Sequence, residues 1–368
     1  MKKTGMSLQL NGLGPKFHNP MKKQISIIFT GLLAVCMACA QKPDAVQLKV
    51  LKDQSRVEVY MDGEFFTAYR YESTLEKPIL YPVLAPSGAA VTRGFPLDPR
   101  PNERVDHPHQ VGFWFNYGDV NGFDFWNNSY AVPAEEKGHY GRIIHRGIET
   151  AESGPGKGVL IVKMDWMAPD AEQAERLLEE QTTYLFSNKE GMRIIDRITT
   201  LTATANRVVF TDNKEGMLAI RVDRAFEQPD KSPVLLTDAS GQPGKEAVIN
   251  TQGVNGWYLN SEGDEGDDAW GKNARWVRLT GTRADTTCSL VLMDHPDNIN
   301  YPSCWHARGY GLFAVNNLGR QVYNPELDTF VLELEKGESL TLKHRLVIAE
   351  GTLSPGEIEA LSREFGSE

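Results

Sequence analysis

Two histidines beside an aspartate form the first group of side chains that could do chemistry, in the segment Asp106–His109 (DHPH). Imidazole titrates near neutral pH, so His107 and His109 could act as a general acid or as metal ligands. Because His-x-His is common in proteins that use neither chemistry, ordinary loop histidines are the alternative.

A second polar stretch follows closely, at residues 118–126 (GDVNGFDFW). Its glycines and asparagine favour a loop, where polar side chains can face a ligand. Asp119 and Asn121 are therefore candidate binding residues. Trp126 could stack on a sugar ring, although packing in the core is the commoner fate of a tryptophan.

Glu215 lies in the segment Asp212–Gly216 (DNKEG), directly before an apolar strand-like run that ends near Arg221. A glutamate placed between a turn and a strand can project into a cleft and act as a general base if burial raises its pKa. The same residues are also good turn formers, so a solvated turn is an equally favoured alternative. We take Glu215 as a catalytic candidate and Arg221 as a binding candidate.

The third group combines a second Asp-His-Pro, which contains His295, with the segment Trp305–Tyr310 (WHARGY). If that segment is extended, His306 and Arg308 share one face. Imidazole and guanidinium presented together suit a carboxylate or a polyhydroxylated ligand. This group supplies His306 as a catalytic candidate and His295, Arg308 and Tyr310 as binding candidates.

The elements that must position these groups are short strands. Apolar and polar residues alternate in runs bounded by Gly, Pro, Asn and Asp, with no helix-strand alternation, which predicts an all-β fold, a large antiparallel β-sandwich, in one domain over residues 41–368. Alternating leucines on both sides of Lys336-Gly337-Glu338 predict a hairpin. A final helix is predicted by Ser354 as N-cap, Pro355, and apolar residues at helical spacing.

The N-terminal 40 residues predict export. Residues 1–20 are interpreted as an over-extended start, and residues 21–40 as a signal peptide with two lysines, an apolar stretch and small residues. Cys39 follows the apolar stretch closely enough to be a lipidated cysteine, although cleavage before Gln41 is an alternative. The expected location is the periplasm or the outer membrane, as a lipoprotein.

Charge and hydropathy restrict the partners. The formal net charge is −10, and removal of residues 1–40, which hold five lysines and no acidic residue, would lower it to −15. An acidic protein without a basic cluster lacks the footprint of nucleic-acid binding. Beyond the signal there is no apolar run of about 18 residues, so we expect no transmembrane span.

In combination and in this order, DHPH, GDVNGFDFW, DNKEG, the Asp-His-Pro strand end, WHARGYGLF and the closing GES-L segment resemble the PmoA-like family. Where that family often has a further histidine and arginine, this chain has Gln110 and Val111. Since that family's namesake is a membrane-spanning methane monooxygenase subunit, such an oxygenase function is not expected. The resemblance also implies kinship with galactose-mutarotase-like supersandwich proteins, in which a histidine acid and a glutamate base act on a sugar.

The resulting expectation is an exported carbohydrate-processing protein in which His107 or His109 works with Glu215. Two alternatives remain open: a non-catalytic glycan-binding lipoprotein, and a metal-dependent enzyme with His107, His109 and His306 as ligands. The sequence requires no cofactor and leaves a divalent metal as an open alternative.

Overall fold

The computed structural model describes residues 45–169, 175–249, 251–283 and 285–368. Residues 1–20 and 21–40, including Cys39, lie outside the described residues, so the interpretations of these two segments stay predictions. In the described residues, the chain forms 21 strands, four short 3-10 helices and one α-helix.

The strands fall into two large and two small antiparallel sheets. Their bounds are β1 Ala45–Leu51, β2 Arg56–Met61, β3 Glu64–Arg70, β4 Ile79–Val83, β5 Phe113–Tyr117, β6 Arg142–Glu152, β7 Gly154–Pro155, β8 Lys157–Met167, β9 Arg176–Lys189, β10 Met192–Ala203, β11 Arg207–Thr211, β12 Gly216–Arg221, β13 Val234–Thr237, β14 Pro243–Val248, β15 Trp257–Asn260, β16 Trp276–Arg283, β17 Thr286–Asp294, β18 Cys304–Arg308, β19 Leu312–Asn316, β20 Val331–Glu335 and β21 Ser339–Glu350. The 3-10 helices span Lys52–Gln54, Ala134–His139, Arg224–Phe226 and Gly266–Ala269.

The two large sheets pack face to face. One has the strand order β18-β19-β12-β5-β4-β3-β2-β1-β7, and the other has the order β15-β16-β17-β21-β10-β9-β8-β6. Side chains from both inner faces form one core, as shown by the edge-on contacts of Phe66 with Phe186 and of Phe115 with Trp166. The predicted antiparallel β-sandwich is confirmed.

The outer face of the nine-stranded sheet is the surface that matters for the site. Because side chains alternate across a strand, residues between the core positions of β4, β5, β12 and β19 point away from the other sheet. They form a second apolar cluster that contains Ile79, Tyr81, Trp114, Ala219, Leu312 and Ala314.

The predicted hairpin at the C-terminus is wrong in its pairing, although both strands exist. Strand β20 pairs with β11, whereas β21 pairs with β10 and β17. The turn between β20 and β21 forms through the bond from the Glu338 amide to the Glu335 carbonyl, but the chain then passes from a small sheet into a large one.

Helix α1 spans Pro355–Phe365 and begins as predicted. The Ser354 hydroxyl accepts from the Glu357 amide, and the Glu357 carboxylate accepts from the Ser354 amide, which makes a capping box. The helix buries Ile358, Leu361 and Phe365 against the outer face of the eight-stranded sheet.

Two further features of the described residues bear on the predictions. Among them, no helix is long and apolar enough to cross a membrane. Cys288 and Cys304 are both buried and form no disulfide with each other.

Candidate active site

Two rows of side chains cross the outer face of the nine-stranded sheet and form the floor of the site. In one row, His306 of β18 lies opposite Ala314 of β19, which lies opposite Ala219 of β12. In the other row, Leu312 separates Arg308 from Arg221. The two alanines keep the floor low, so the polar side chains at its edges face a shallow cleft.

The DHPH loop lies over Arg221 and is fixed to it by charge. Arg221 is 0% exposed, and its guanidinium donates to the Asp106 carboxylate at 2.7 Å and to the side-chain carbonyl of Gln110. A second buried cation, Arg93, donates to the same carboxylate at 2.6 Å and to the main-chain carbonyls of His107 and Gln110 at 3.0 Å. The loop is therefore held from below by two guanidinium groups.

Gly112 lets this loop return to the sheet. Its φ is +62°, and a Cβ atom there would lie 2.5 Å from the Leu80 carbonyl oxygen. A residue with a side chain would be strained and would clash. The glycine thus lets the loop approach the β4 backbone immediately before β5 begins.

Asp106 orients His107. Its Oδ2 lies 3.2 Å from Nδ1 of His107, and the His107 side chain remains 40% exposed. Burial alone would raise the pKa of Asp106, but Arg221, His107 and Arg93 together hold it below its ordinary value. An ionised Asp106 favours a proton on Nδ1 and leaves Nε2 for other partners.

The other face of His107 is covered by Tyr310. The two rings are parallel, with centroids 4.9 Å apart and planes 4° apart. The guanidinium of Arg221 also lies over the Tyr310 ring, at 4.9 Å. His107 has a φ of +42°, an uncommon backbone conformation for a non-glycine residue, of the kind that clusters at functional sites.

Glu215 and His306 form the second ionisable pair. The Glu215 Oε2 lies 3.7 Å from Nδ1 of His306, and its Oε1 accepts from the Lys214 ammonium. Glu215 is the more exposed partner, at 15% of its side chain against 4% for His306. His306 thus lies behind the carboxylate, with its Nδ1 buried and without a hydrogen-bond partner in the described residues.

His306 is held neutral by its surroundings. Burial, followed by the positive charges of Lys214 and Arg308, lowers its pKa to about 3, although a hydrogen bond to the Lys214 main chain acts in the opposite direction. The charge of His107 also contributes to this lowering, and the charge of Glu215 acts on Tyr310. The DHPH and WHAR segments meet through the stacked rings of His107 and Tyr310, and the DNKEG and WHAR segments meet through Glu215 and His306. The cleft is the outer surface of the sheet that is bounded by His107, Glu215, His306, Arg308 and Tyr310.

His109 points away from that cleft into a crowded, positively charged environment. Its ring centroid is 5.6 Å from that of His107, with planes at 82°. Burial, with the charge of Lys77 next, lowers its pKa well below the ordinary value. Lys77 is itself buried, donates to the His109 carbonyl at 2.8 Å, and has its pKa lowered by burial to about 7.

Two of the predicted binding residues stabilise a loop instead of facing the cleft. The Asp119 carboxylate accepts from the Gly122 amide at 2.9 Å. Asn121 bonds to the Arg207 carbonyl at 3.1 Å and to the Val209 amide at 2.7 Å. Both side chains are used within the turn and its contact with β11.

Three other predicted binding residues are buried. Trp126 is 0% exposed and packs against Trp114 with ring centroids 5.3 Å apart, so it cannot stack on a sugar. His295 packs edge-on against Phe365 of α1 and accepts from the Asp297 amide. Arg221 does lie at the cleft, but beneath the DHPH loop.

Three residues with a part in this site are absent from the predicted set: Arg93, Lys77 and Trp270. Arg93 and Lys77 belong to no motif, and their burial offers no sequence signal. Trp270, whose ring centroid lies 5.6 Å from the Arg308 guanidinium, is in an acidic, glycine-containing segment, which could have marked a partly exposed aromatic residue. Of the three, it alone had a visible signal.

A three-histidine metal site is not formed. Within the part of the chain that the structure describes, no group of three or more His, Cys, Asp or Glu side chains could hold a metal ion. His107 is stacked on Tyr310, His109 is turned aside, and His306 faces Glu215. The three imidazoles are engaged in different environments.

The fold and the site define an all-β sandwich with an ionisable cleft on the outer face of one sheet. The chain belongs to the family of unknown function DUF6807, whose model matches residues 56–363. The assignment to the PmoA-like family is therefore wrong. It rested on short loop motifs, whereas the family model covers nearly the whole sandwich.

Solved structures with a similar fold include a GH36 α-galactosidase from Geobacillus stearothermophilus, at 10% identity and a TM-score of 0.39, over 83% of this chain and 41% of that chain. Another is a galactose mutarotase-like protein from Clostridium acetobutylicum, at 11% identity and a TM-score of 0.33, over 83% of this chain and 98% of that chain. The chain spans about two fifths of the length of the galactosidase. No curated protein matches it.

Proposed function

We propose that this protein processes carbohydrate by acid–base catalysis, with Glu215 as the base and His107 as the acid. The observation that carries the proposal is the pairing of two dyads in one cleft: Asp106 with His107, and Glu215 with His306. In the first dyad, His107 is the more exposed member and Asp106 orients it. In the second, Glu215 is the more exposed member and His306 lies behind it.

His107 has the properties of a proton donor. Its imidazole is exposed enough to reach a substrate, and the Asp106 carboxylate lies 3.2 Å from its Nδ1 and orients the ring. The stacked ring of Tyr310 and the two guanidinium groups beneath the loop fix its position. A fixed imidazole reduces the reorganisation needed during proton transfer.

Glu215 has the properties of a base. Its carboxylate accepts a hydrogen bond from the Lys214 ammonium, and the neutral His306 behind it can share the proton that Glu215 receives. His306 is thus a positioning residue, because its Nδ1 is enclosed and faces Glu215.

The simplest reaction for this arrangement takes place at the anomeric carbon of a reducing sugar. Glu215 removes the proton of the C1 hydroxyl while protonated His107 donates its proton to the ring oxygen. The bond between C1 and the ring oxygen breaks, and C1 becomes an aldehyde. Closure on the opposite face returns both protons and gives the other anomer.

The remaining cleft groups suit a polyhydroxylated ligand. Arg308 and Lys214 are exposed donors, and the partly exposed Tyr310 ring lies 5.8 Å from the Arg308 guanidinium. A sugar presents both hydroxyl acceptors and an apolar C–H face, and so matches this set.

The test is proton NMR in D2O with reducing monosaccharides and disaccharides. It follows anomer interconversion, exchange of C–H protons for deuterium, and new products in one spectrum. We expect Glu215→Gln and His107→Asn each to lower the enzymatic rate at least a hundredfold, as is typical for loss of a general base or acid. The matched control is His139→Asn, since His139 is an exposed histidine outside the cleft.

The other outcomes select between the alternatives. Sugar binding by calorimetry without turnover would replace this proposal with glycan binding. Stoichiometric metal in protein purified without a histidine tag, lost in His107→Ala, would replace it with metal-dependent chemistry. No binding and no turnover over the sugar panel would refute it.

Export is the second part of the proposal, supported by the basic, apolar and small residues at positions 21–40. Expression from Met21 should give a processed, membrane-tethered protein, and Cys39→Ala should abolish the tether. An unprocessed intact mass in the cytosolic fraction would contradict it.

A further inference from the structure

A cavity of about 440 Å³ lies beside the catalytic cleft, and its lining includes Tyr310, whose ring stacks on His107. This volume lies within the range of pockets that bind small organic ligands. Its wall includes Arg104, Asp230, Asp267, Trp270, Arg308 and Tyr310.

The cavity and the cleft share a wall. Tyr310 both stacks on His107 and lines the cavity. The Arg308 guanidinium lies 5.6 Å from the Trp270 ring centroid and 5.8 Å from that of Tyr310. A molecule that fills both spaces would therefore pass along Arg308 and Tyr310.

Two polar groups of the cavity are held in place before any ligand binds. Asp267 accepts from the side-chain amide of Gln228 at 2.8 Å, and Arg104 donates to Glu227 at 3.0 Å. Preorganised polar groups lower the entropic cost of binding. Each also keeps further hydrogen-bonding capacity, because a carboxylate has about four acceptor sites and a guanidinium has five donors.

The charges in the wall point to a neutral ligand. Two cations, Arg104 and Arg308, face two anions, Asp230 and Asp267. A strongly anionic or cationic group would meet a like charge on one side. Neutral hydroxyl groups can donate to the carboxylates and accept from the guanidinium groups.

We infer that this cavity is a second sugar-binding subsite, which accepts a neutral sugar unit linked to the one at Glu215. The inference rests on the proposed function and narrows its substrate class to disaccharides and longer oligosaccharides. A monosaccharide would occupy the cleft and leave this cavity unfilled.

The test is the ratio of kcat/KM for disaccharides to that for their constituent monosaccharides, measured by the same NMR assay on the full chain. We expect a ratio of at least ten for the best disaccharide. Asp267→Ala should lower the ratio about fivefold to tenfold, the effect of losing one or two hydrogen bonds. Asp268→Ala is the matched control, since Asp268 is an exposed neighbour that does not line the cavity.

A second variant tests whether the loss extends to another residue of the cavity wall. Trp270→Ala should also lower the ratio, and a thermal unfolding curve should first show that this variant folds. Turnover with a ratio near one that neither variant changes would overturn the subsite while leaving the proposed function intact. Absence of turnover on every sugar would instead count against the proposed function, and binding of disaccharides over monosaccharides by calorimetry would then decide the subsite alone.

Discussion

Replacement of Asp106 by asparagine tests the charge arrangement under the DHPH loop. Asp106 bonds to two guanidinium groups, at 2.6 Å to Arg93 and at 2.7 Å to Arg221. Arg93 would retain main-chain acceptors, including the carbonyls of His107 and Gln110. Arg221 would retain its hydrogen bond to the Gln110 side chain. It would lose Asp106, its carboxylate partner among the ion pairs of the described residues.

The expected loss is therefore about 3 kcal/mol in the free energy of unfolding at pH 7, the low end for removal of one member of a buried ion pair. Arg221, at 0% exposed, keeps its charge without a counter-ion, and the asparagine amide adds donors where acceptors are needed. Because 23% of the Asp106 side chain is exposed, we expect the loss in the free energy of unfolding to lie at that low end.

The effect has a defined pH dependence. Since the folded pKa of Asp106 is held below its ordinary value of 3.8, its ionisation stabilises the folded state above that value. The stabilisation is lost as the pH falls from 3.8 towards the lower folded pKa. The difference between wild type and Asp106→Asn should thus be constant from pH 7 to about 5 and shrink below about 4.

Urea unfolding at several pH values measures this difference, with Asp53→Asn as a control because Asp53 is exposed in the first 3-10 helix. Arg221→Met provides a double-mutant cycle, in which Asp106→Asn should cost much less once Arg221 is gone. A loss below 0.5 kcal/mol at pH 7, on the order of an ordinary surface substitution, or a loss that does not change with pH, would refute the reasoning.

Two other regions give further predictions. Ser354→Ala removes the N-cap of α1 and should lower the free energy of unfolding by about 1 kcal/mol, whereas Ser362→Ala within the helix should have no such cost in the same urea titration. Burial raises the pKa of Cys288 to about 12 and that of Cys304 to about 11, so both thiols should resist alkylation at pH 8 until urea unfolds the chain. Peptide mass spectrometry would show this, and rapid labelling of Cys304 in native protein would contradict its burial.

Strand positions could be predicted from the sequence because period-2 alternation is local. Pairing could not, because it depends on contacts far along the chain. Strand β20 shows the difference. Its alternating apolar residues correctly predict a strand, yet this strand pairs with β11 rather than with the strand that follows it.

The same distinction applies to the candidate site residues: the sequence shows their residue types but not which of them lie close together. Glu215 and His306 were identified by residue type, but their proximity at 3.7 Å depends on the β18-β19-β12 order, which no motif specifies. Trp126 was misplaced because sequence does not distinguish an aromatic residue on a binding surface from one in a core. Arg93 was missed because a buried arginine is unusual, and its role appears only with the loop above it.

The buried cations link the fold to the proposed chemistry. Arg221 extends from the same sheet row as Arg308, passes under the DHPH loop and fixes Asp106, which in turn orients His107. The low alanine floor between β12 and β19 leaves space in front of Glu215 and His306. Since an ion pair beneath a loop contributes little net stability compared with apolar packing, its main effect here is to fix one loop conformation. The geometry of the acid therefore depends on charges that no substrate touches.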